Sequence, residues 1–153
     1  MDLREVSVMA TDCIGEYGLT GWRFEFDNAK VRAGACHFRT KKITLSRHLM
    51  AGWSYEAVQN VILHEVAHAI VGPLHDHDAK WQRQARSMGC TGDRCWTPSE
   101  DAPPVASPWL LVCPNGHTSP RHRRTDRIKS CGKCSPRFDR RYVMEWQRNP
   151  VNA

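Results

Sequence analysis

The chain has 153 residues, 41% hydrophobic and 25% charged, which fits a globular protein of one compact domain with a small appendage. No stretch approaches the roughly 18 apolar residues that a membrane-spanning helix needs. The charged start Met1-Asp2-Leu3-Arg4-Glu5 leads into no apolar signal core, so neither a membrane protein nor a secreted one is expected, and the location expected is cytoplasmic. The net charge of +6 is unevenly placed: residues 113–153 carry 10 Lys and Arg against 3 Asp and Glu. Such a concentrated field points to an anionic partner, above all nucleic acid. Seven cysteines in a reducing compartment favour metal binding over a disulfide framework.

In chain order, Leu3, Val6, Met9, Ala10, Cys13, Ile14 and Tyr17 recur every three to four residues, which predicts an amphipathic helix over 3–18. Trp22-Arg23-Phe24-Glu25-Phe26 alternates as a half-buried strand does, and Asp27-Asn28 reads as a turn. A second strand is predicted within 31–38 and a third over 42–46. Ser54 is a fitting N-cap for a long helix that Gly72-Pro73 ends. Asp78 caps a further helix over about 79–88. The segment 97–108, with four prolines, reads as a linker between a domain at 1–96 and a module at 109–153. The module opens with the apolar strand Trp109-Leu110-Leu111-Val112.

Within the long helix stands His64-Glu65-Val66-Ala67-His68. Residues four apart share one helix face, so both imidazoles reach one metal ion, and Glu65 projects beside it. A carboxylate there takes a proton from a zinc-bound water. Hydrolytic zinc needs three protein ligands and one open position. His75 and His77 both follow the helix break, and either can be the third ligand. A metzincin would carry Gly at position 71 and His at 74, where this chain has Val71 and Leu74. A gluzincin needs a downstream helical Glu, and the next is Glu100 in the predicted linker.

His77-Asp78-Ala79-Lys80-Trp81 resembles the H-G-x-x-W segment of the SprT-like metallopeptidases, with Asp78 in place of the glycine. Ala33-Gly34-Ala35-Cys36 and Lys42-Ile43-Thr44-Leu45-Ser46 resemble that family's small-residue strand and its I-x-L-S strand. The resemblance implies that His77 is the third zinc ligand and that Trp81 packs the second helix on the first. It implies an α+β fold: a small zincin-like metallopeptidase domain, helices with a short antiparallel sheet, followed by a zinc-ribbon β module. It also implies action on proteins attached to DNA.

Cys131-Gly132-Lys133-Cys134 is a C-x-x-C knuckle, and Cys113-Pro114-Asn115-Gly116-His117 supplies its partner half. Three thiolates and an imidazole make a closed structural zinc site; His122 is the alternative to His117. The 13 residues between His117 and Cys131 suit a hairpin. A segment so short and polar needs a staple. Arg121, Arg123, Arg124, Arg127, Lys129, Arg137, Arg140 and Arg141 lie among these ligands, and all but Arg137 are taken as contacts to nucleic-acid phosphates. Cys90 and Cys95 are left unassigned.

The reading is a zinc endopeptidase with one catalytic and one structural zinc, a protein substrate held on DNA, and nucleic acid bound by the basic module. The alternatives are a nucleic-acid-binding ribbon protein whose H-E-x-x-H domain is structural, or a trihistidine ribonuclease. Glu65 between the histidines argues for peptide hydrolysis over the ribonuclease.

Overall fold

Helix α1 (Leu3–Glu16) starts where Asp2 accepts a hydrogen bond from the Arg4 amide and Glu5 reaches back to the Asp2 amide, a complete capping box. Its buried side chains Val6, Ala10, Cys13 and Ile14 are the 3.6-residue stripe legible in the sequence. The computed structural model describes residues 1–94 and 105–150, and the chain divides into two units, Met1–Pro103 and Pro104–Ala153. Most of the predicted linker, and Cys95, lie outside the described residues. No helix among the described residues is long and apolar enough to cross a membrane.

Three strands follow: β1 (Arg23–Asp27), β2 (Gly34–His37) and β3 (Lys42–Ser46). Their spatial order is β1-β3-β2. Strand β2 pairs antiparallel with β3, as the α+β reading expects, whereas β1 joins the other edge of β3 in parallel. The sheet is therefore mixed. The crossing through 28–33 carries the chain from one edge to the other, which leaves β1 running with β3. As the central strand, β3 buries Ile43 and Leu45 fully. Its buried polar groups are satisfied: the Thr44 hydroxyl donates to Asp27 Oδ2 at 2.9 Å and Ser46 Oγ to the Ala29 carbonyl.

After the short helix α2 (Arg47–Met50) comes α3 (Tyr55–Val71), capped by the Ser54 side chain on the Ala57 amide. It ends at Gly72, whose φ of 88° suits a residue without a Cβ. Helix α4 (Ala79–Ser87) starts at Asp78, whose carboxylate accepts from the Lys80 and Trp81 amides. Buried residues of α1, β3, α3 and α4 make one core, with Val58, Val66, Trp81 and Ala85 wholly inside. Helix α3 packs against β2 and α4, so it lies beside β2, one of the two edge strands in the order β1-β3-β2.

The second unit is a three-stranded antiparallel sheet in the order β5-β4-β6, with β4 (Trp109–Val112), β5 (Thr118–Arg121) and β6 (Glu145–Arg148). The hairpin expected between His117 and Cys131 is replaced by one between β4 and β5, around the Cys113–His117 turn. The Cys113 amide donates to the His117 carbonyl at 2.9 Å and the Gly116 amide to the Cys113 carbonyl at 2.9 Å, closing a turn tight enough to set the register. The far edge of β4 goes to β6, so the tail completes the sheet. Asn149 knits the module's two ends together, donating from its amide to the Pro108 carbonyl and from its side chain to that of Ser107.

Candidate metal centres

The first centre is built by α3 and the loop that leaves it. Helical spacing puts His64 and His68 on one face, and the turn after Gly72 brings His77 back over them. His77 Nε2 lies 3.0 Å from His64 Nε2 and 3.1 Å from His68 Nε2, and those two are 3.3 Å apart. Four-coordinate zinc with bonds of about 2.0–2.1 Å sets its nitrogens about 3.3–3.4 Å from one another, so the three atoms stand almost at the spacing of tetrahedral ligands. Three imidazole nitrogens gathered this closely offer the ligand set that a shared metal ion requires. His75, the other candidate, turns away: its Nδ1 sits 2.7 Å from Asp78 Oδ2 and its Nε2 3.1 Å from Lys80 Nζ.

Behind the cluster stands Trp81, fully buried. All three imidazoles touch its indole, with ring centroids at 4.6, 5.0 and 4.5 Å for His64, His68 and His77. The wall limits the rotamers of each ligand, which lowers the entropy lost on binding a metal. Asp76 Oδ1 stands 2.9 Å from His77 Nδ1, without hydrogen-bond geometry, since that nitrogen has no hydrogen-bond partner. Asp76 escaped the sequence reading, although its place next to a candidate ligand was the available signal.

Burial, reinforced by the neighbouring imidazoles, pushes His64 down to about 4; burial and His77 do the same to His68. Both are therefore neutral at pH 7, the form that ligates. Glu65 is buried too, and burial pushes its carboxyl up to about 8, against the pull of Arg32. Gly34 of β2 makes room for it: a Cβ there would come within 2.7 Å of Glu65 Oε1 and 2.9 Å of Leu45 Cδ2. The glycine of the small-residue strand thus lets β2 press directly on the carboxylate. A cleft of about 630 Å³ opens over these groups, with Gly34, Cys36, His64, Glu65, His68 and His77 in its walls.

The second centre lies in the ribbon. Cys113 and Cys134 sulfurs are 3.8 Å apart, and His117 Nδ1 is 3.6 Å from Cys113 Sγ, 3.6 Å from Cys131 Sγ and 3.3 Å from Cys134 Sγ. Zinc–sulfur bonds of about 2.3 Å predict about 3.8 Å between sulfurs and about 3.5 Å from sulfur to nitrogen. The four donors form a closed set that suits zinc, and nothing is left open for a substrate. His122, the alternative to His117, bonds instead to the Ala106 carbonyl at 3.0 Å. None of the six described cysteines is in a disulfide.

The basic residues do not form one cluster. Arg123, Arg124 and Arg127 are exposed in the segment after β5, Lys129 is half-buried, and Arg140 and Arg141 lie in the short helical turn Arg140–Tyr142. Arg141 is held by Asp139 at 2.8 Å. Arg121 is paired in register with Trp109, and so is Arg148 on the opposite strand. The guanidiniums of Arg148 and Arg124 lie 4.2 and 5.1 Å from the Trp109 ring centre. The meeting of Trp109 with Arg148 was not expected from the sequence, because it depends on the β6 register, which no local pattern announces.

A family model described as SprT-like matches residues 10–100. Among solved structures, the chain is similar to the metallopeptidase zymogen jannalysin of Methanocaldococcus jannaschii, with 18% identity, 54% of this chain and 79% of that one covered, and a TM-score of 0.48. The zymogen abylysin of Pyrococcus abyssi gives 17% identity, 53% and 76% coverage, and a TM-score of 0.45. No curated protein matches the sequence. The matched segment holds α3, the histidine-bearing loop and α4, the elements on which the trihistidine centre is built, and the chain belongs to the SprT-like family.

Proposed function

We propose that the chain is a zinc-dependent endopeptidase that acts on proteins held on DNA, with one catalytic and one structural zinc. The observation that carries the peptidase reading is the meeting of three imidazole Nε2 atoms at 3.0–3.3 Å beside a buried carboxyl at Glu65. Zinc bound there supplies Lewis acidity, bringing a coordinated water to a pKa of about 7. His64, His68 and His77 are the ligands, and Trp81 holds them in orientation. Glu65 takes the proton of the attacking water and later delivers it to the leaving amine. The open edge of β2 receives the substrate as an extended strand, which places a peptide carbonyl beside Glu65.

The ribbon, with its own zinc on Cys113, His117, Cys131 and Cys134, serves to hold nucleic acid, through Arg121, Arg123, Arg124, Arg127, Lys129, Arg140 and Arg141. Arg148 joins Arg121 and Arg124 around Trp109, and no ion pair to a carboxylate engages these three among the described residues. Tethering residues 1–96 to DNA through 109–153 raises the local concentration of DNA-bound protein substrates.

Glu65→Gln tests the reading. A general base contributes about 10²–10⁴-fold, so peptide cleavage should fall by that factor while zinc content and oligonucleotide binding persist. A variant as active as the wild type, or a wild type that cleaves no protein, would return the chain to the class of non-proteolytic nucleic-acid-binding proteins.

A further inference from the structure

The two sides of helix α3 differ in chemistry. His64 and His68 stand on one side and line the cleft. Tyr55, Gln59 and Ile62 follow one another at helical spacing on the other. With α1 they bound a second groove, of about 990 Å³. Its floor is apolar and holds Met9, Cys13, Ile62, Leu63 and Met88. Three large apolar side chains at its lip stay in water: Val8 is 59% exposed, Tyr17 37% and Tyr55 54%.

The lip is acidic as well as apolar. Glu5, Asp12 and Glu16 line the groove against a single cation, Arg4. Their spacing corresponds to two helical turns and then one, so all three lie on one face of α1, in a stripe about 16 Å long. Glu5 accepts from the Asp2 amide. No ion pair engages Asp12 or Glu16 among the described residues.

We propose that this groove docks an amphipathic helix of a partner protein, one that buries an apolar face and carries Lys or Arg along its flank. Apolar anchors one and two turns apart fill the floor, and the flanking cations lie along the acidic stripe. Met9 and Met88 are unbranched and adapt to anchors of differing shape, so the groove selects a pattern rather than one sequence. It opens on the far side of α3 from His64 and His68, so its occupant leaves the catalytic cleft free. Under the peptidase reading, on which this last step rests, the partner is a substrate. A protein that holds DNA carries Lys and Arg to meet phosphates, and a docked basic helix keeps such a protein beside the protease.

The test uses the full zinc-loaded chain and a labelled amphipathic peptide of about 18 residues, with Leu on one face and Lys on its flanks. Fluorescence anisotropy reads binding. Asp12→Lys combined with Glu16→Lys should weaken it about tenfold at low salt and flatten its salt dependence. Val8→Ser combined with Tyr55→Ser should weaken it at every salt concentration, because apolar burial is not screened. Asp126→Lys, an exposed charge reversal in the ribbon, should leave it unchanged, with melting temperature and zinc content as fold controls. A wild type that binds the Lys peptide no better than a Glu counterpart, or groove variants that bind as the wild type does, would overturn the docking site. A dimer in sedimentation that the Val8 and Tyr55 changes dissolve would also overturn it, by assigning the groove to a second copy of this chain. Cleavage separates the two readings. Groove variants that lose kcat/KM on a basic protein and keep it on a short uncharged peptide would support recruitment of substrate, and unchanged values on both would overturn it. A zinc-loaded wild type that cleaves neither would overturn the peptidase reading, while peptide binding would still uphold the docking site.

Discussion

The two candidate metal centres of this chain are held by opposite means. The trihistidine centre sits on a packed core: Trp81, Val58, Val66 and Ala85 are wholly buried around the elements that carry its ligands. The ribbon has hardly any core. Its buried hydrophobic residues, among those described, are Leu111 and the cysteines Cys113 and Cys131, two of them candidate ligands. In the first unit the fold arranges the candidate ligands, and in the second metal binding is expected to arrange the fold. Losing the metal should therefore silence one unit and dismantle the other.

The largest effect expected follows directly. Structural zinc contributes an apparent 10–16 kcal/mol or so in small zinc modules, far more than Leu111 and its neighbours can replace. Chelation, or Cys134→Ser, should unfold the ribbon while helices α1, α3 and α4 remain. Limited proteolysis reads this as cleavage in residues 105–150 with the first unit intact. Equal protection of both units after chelation would erase the contrast.

Next comes the core itself. Trp81→Ala removes the indole against which all three ligand imidazoles rest and should cost about 3–5 kcal/mol with weakened zinc binding at the first centre alone. Trp81→Phe keeps part of the wall, so it should fall between Ala and wild type in both melting temperature and zinc affinity. Ribbon zinc should be unchanged in each.

A smaller perturbation separates positioning from stability. In Gly34→Ala the new methyl meets Glu65 and Leu45 at under 3 Å, and overpacking of this kind costs about 1–3 kcal/mol. Because the contact is with the carboxyl, kcat should drop more than KM rises, with zinc content retained. An unaltered kcat would show that Glu65 does not depend on the approach of β2.

The smallest effects lie on the ribbon surface. Arg124→Gln and Arg148→Gln should each reduce the salt slope of oligonucleotide binding by about one. Arg141→Gln, already tied to Asp139, should change it less.

The same contrast governs what the sequence disclosed. Around the first centre the signals are local: Ser54 and Asp78 announce their helices by capping chemistry, and His64 and His68 follow from helical spacing. His77 needed the resemblance carried by Trp81, because His75 satisfies the chain-length argument equally well. What escaped was non-local. The parallel pairing of β1 with β3 leaves no periodic mark. Strand β6 looks like a charged tail until Trp146 is seen opposite Leu111. The hairpin was misplaced because ligand spacing constrains the ends of a loop and says nothing of where strands lie between them.

Zinc counting by elemental analysis tests the central claim most directly, on the wild type, His77→Ala and Cys134→Ala. Two zincs per chain, with one lost in each variant, is the result expected of a core-held catalytic centre and a separate structural one. A single zinc, unaffected by His77→Ala and lost in Cys134→Ala, would contradict it.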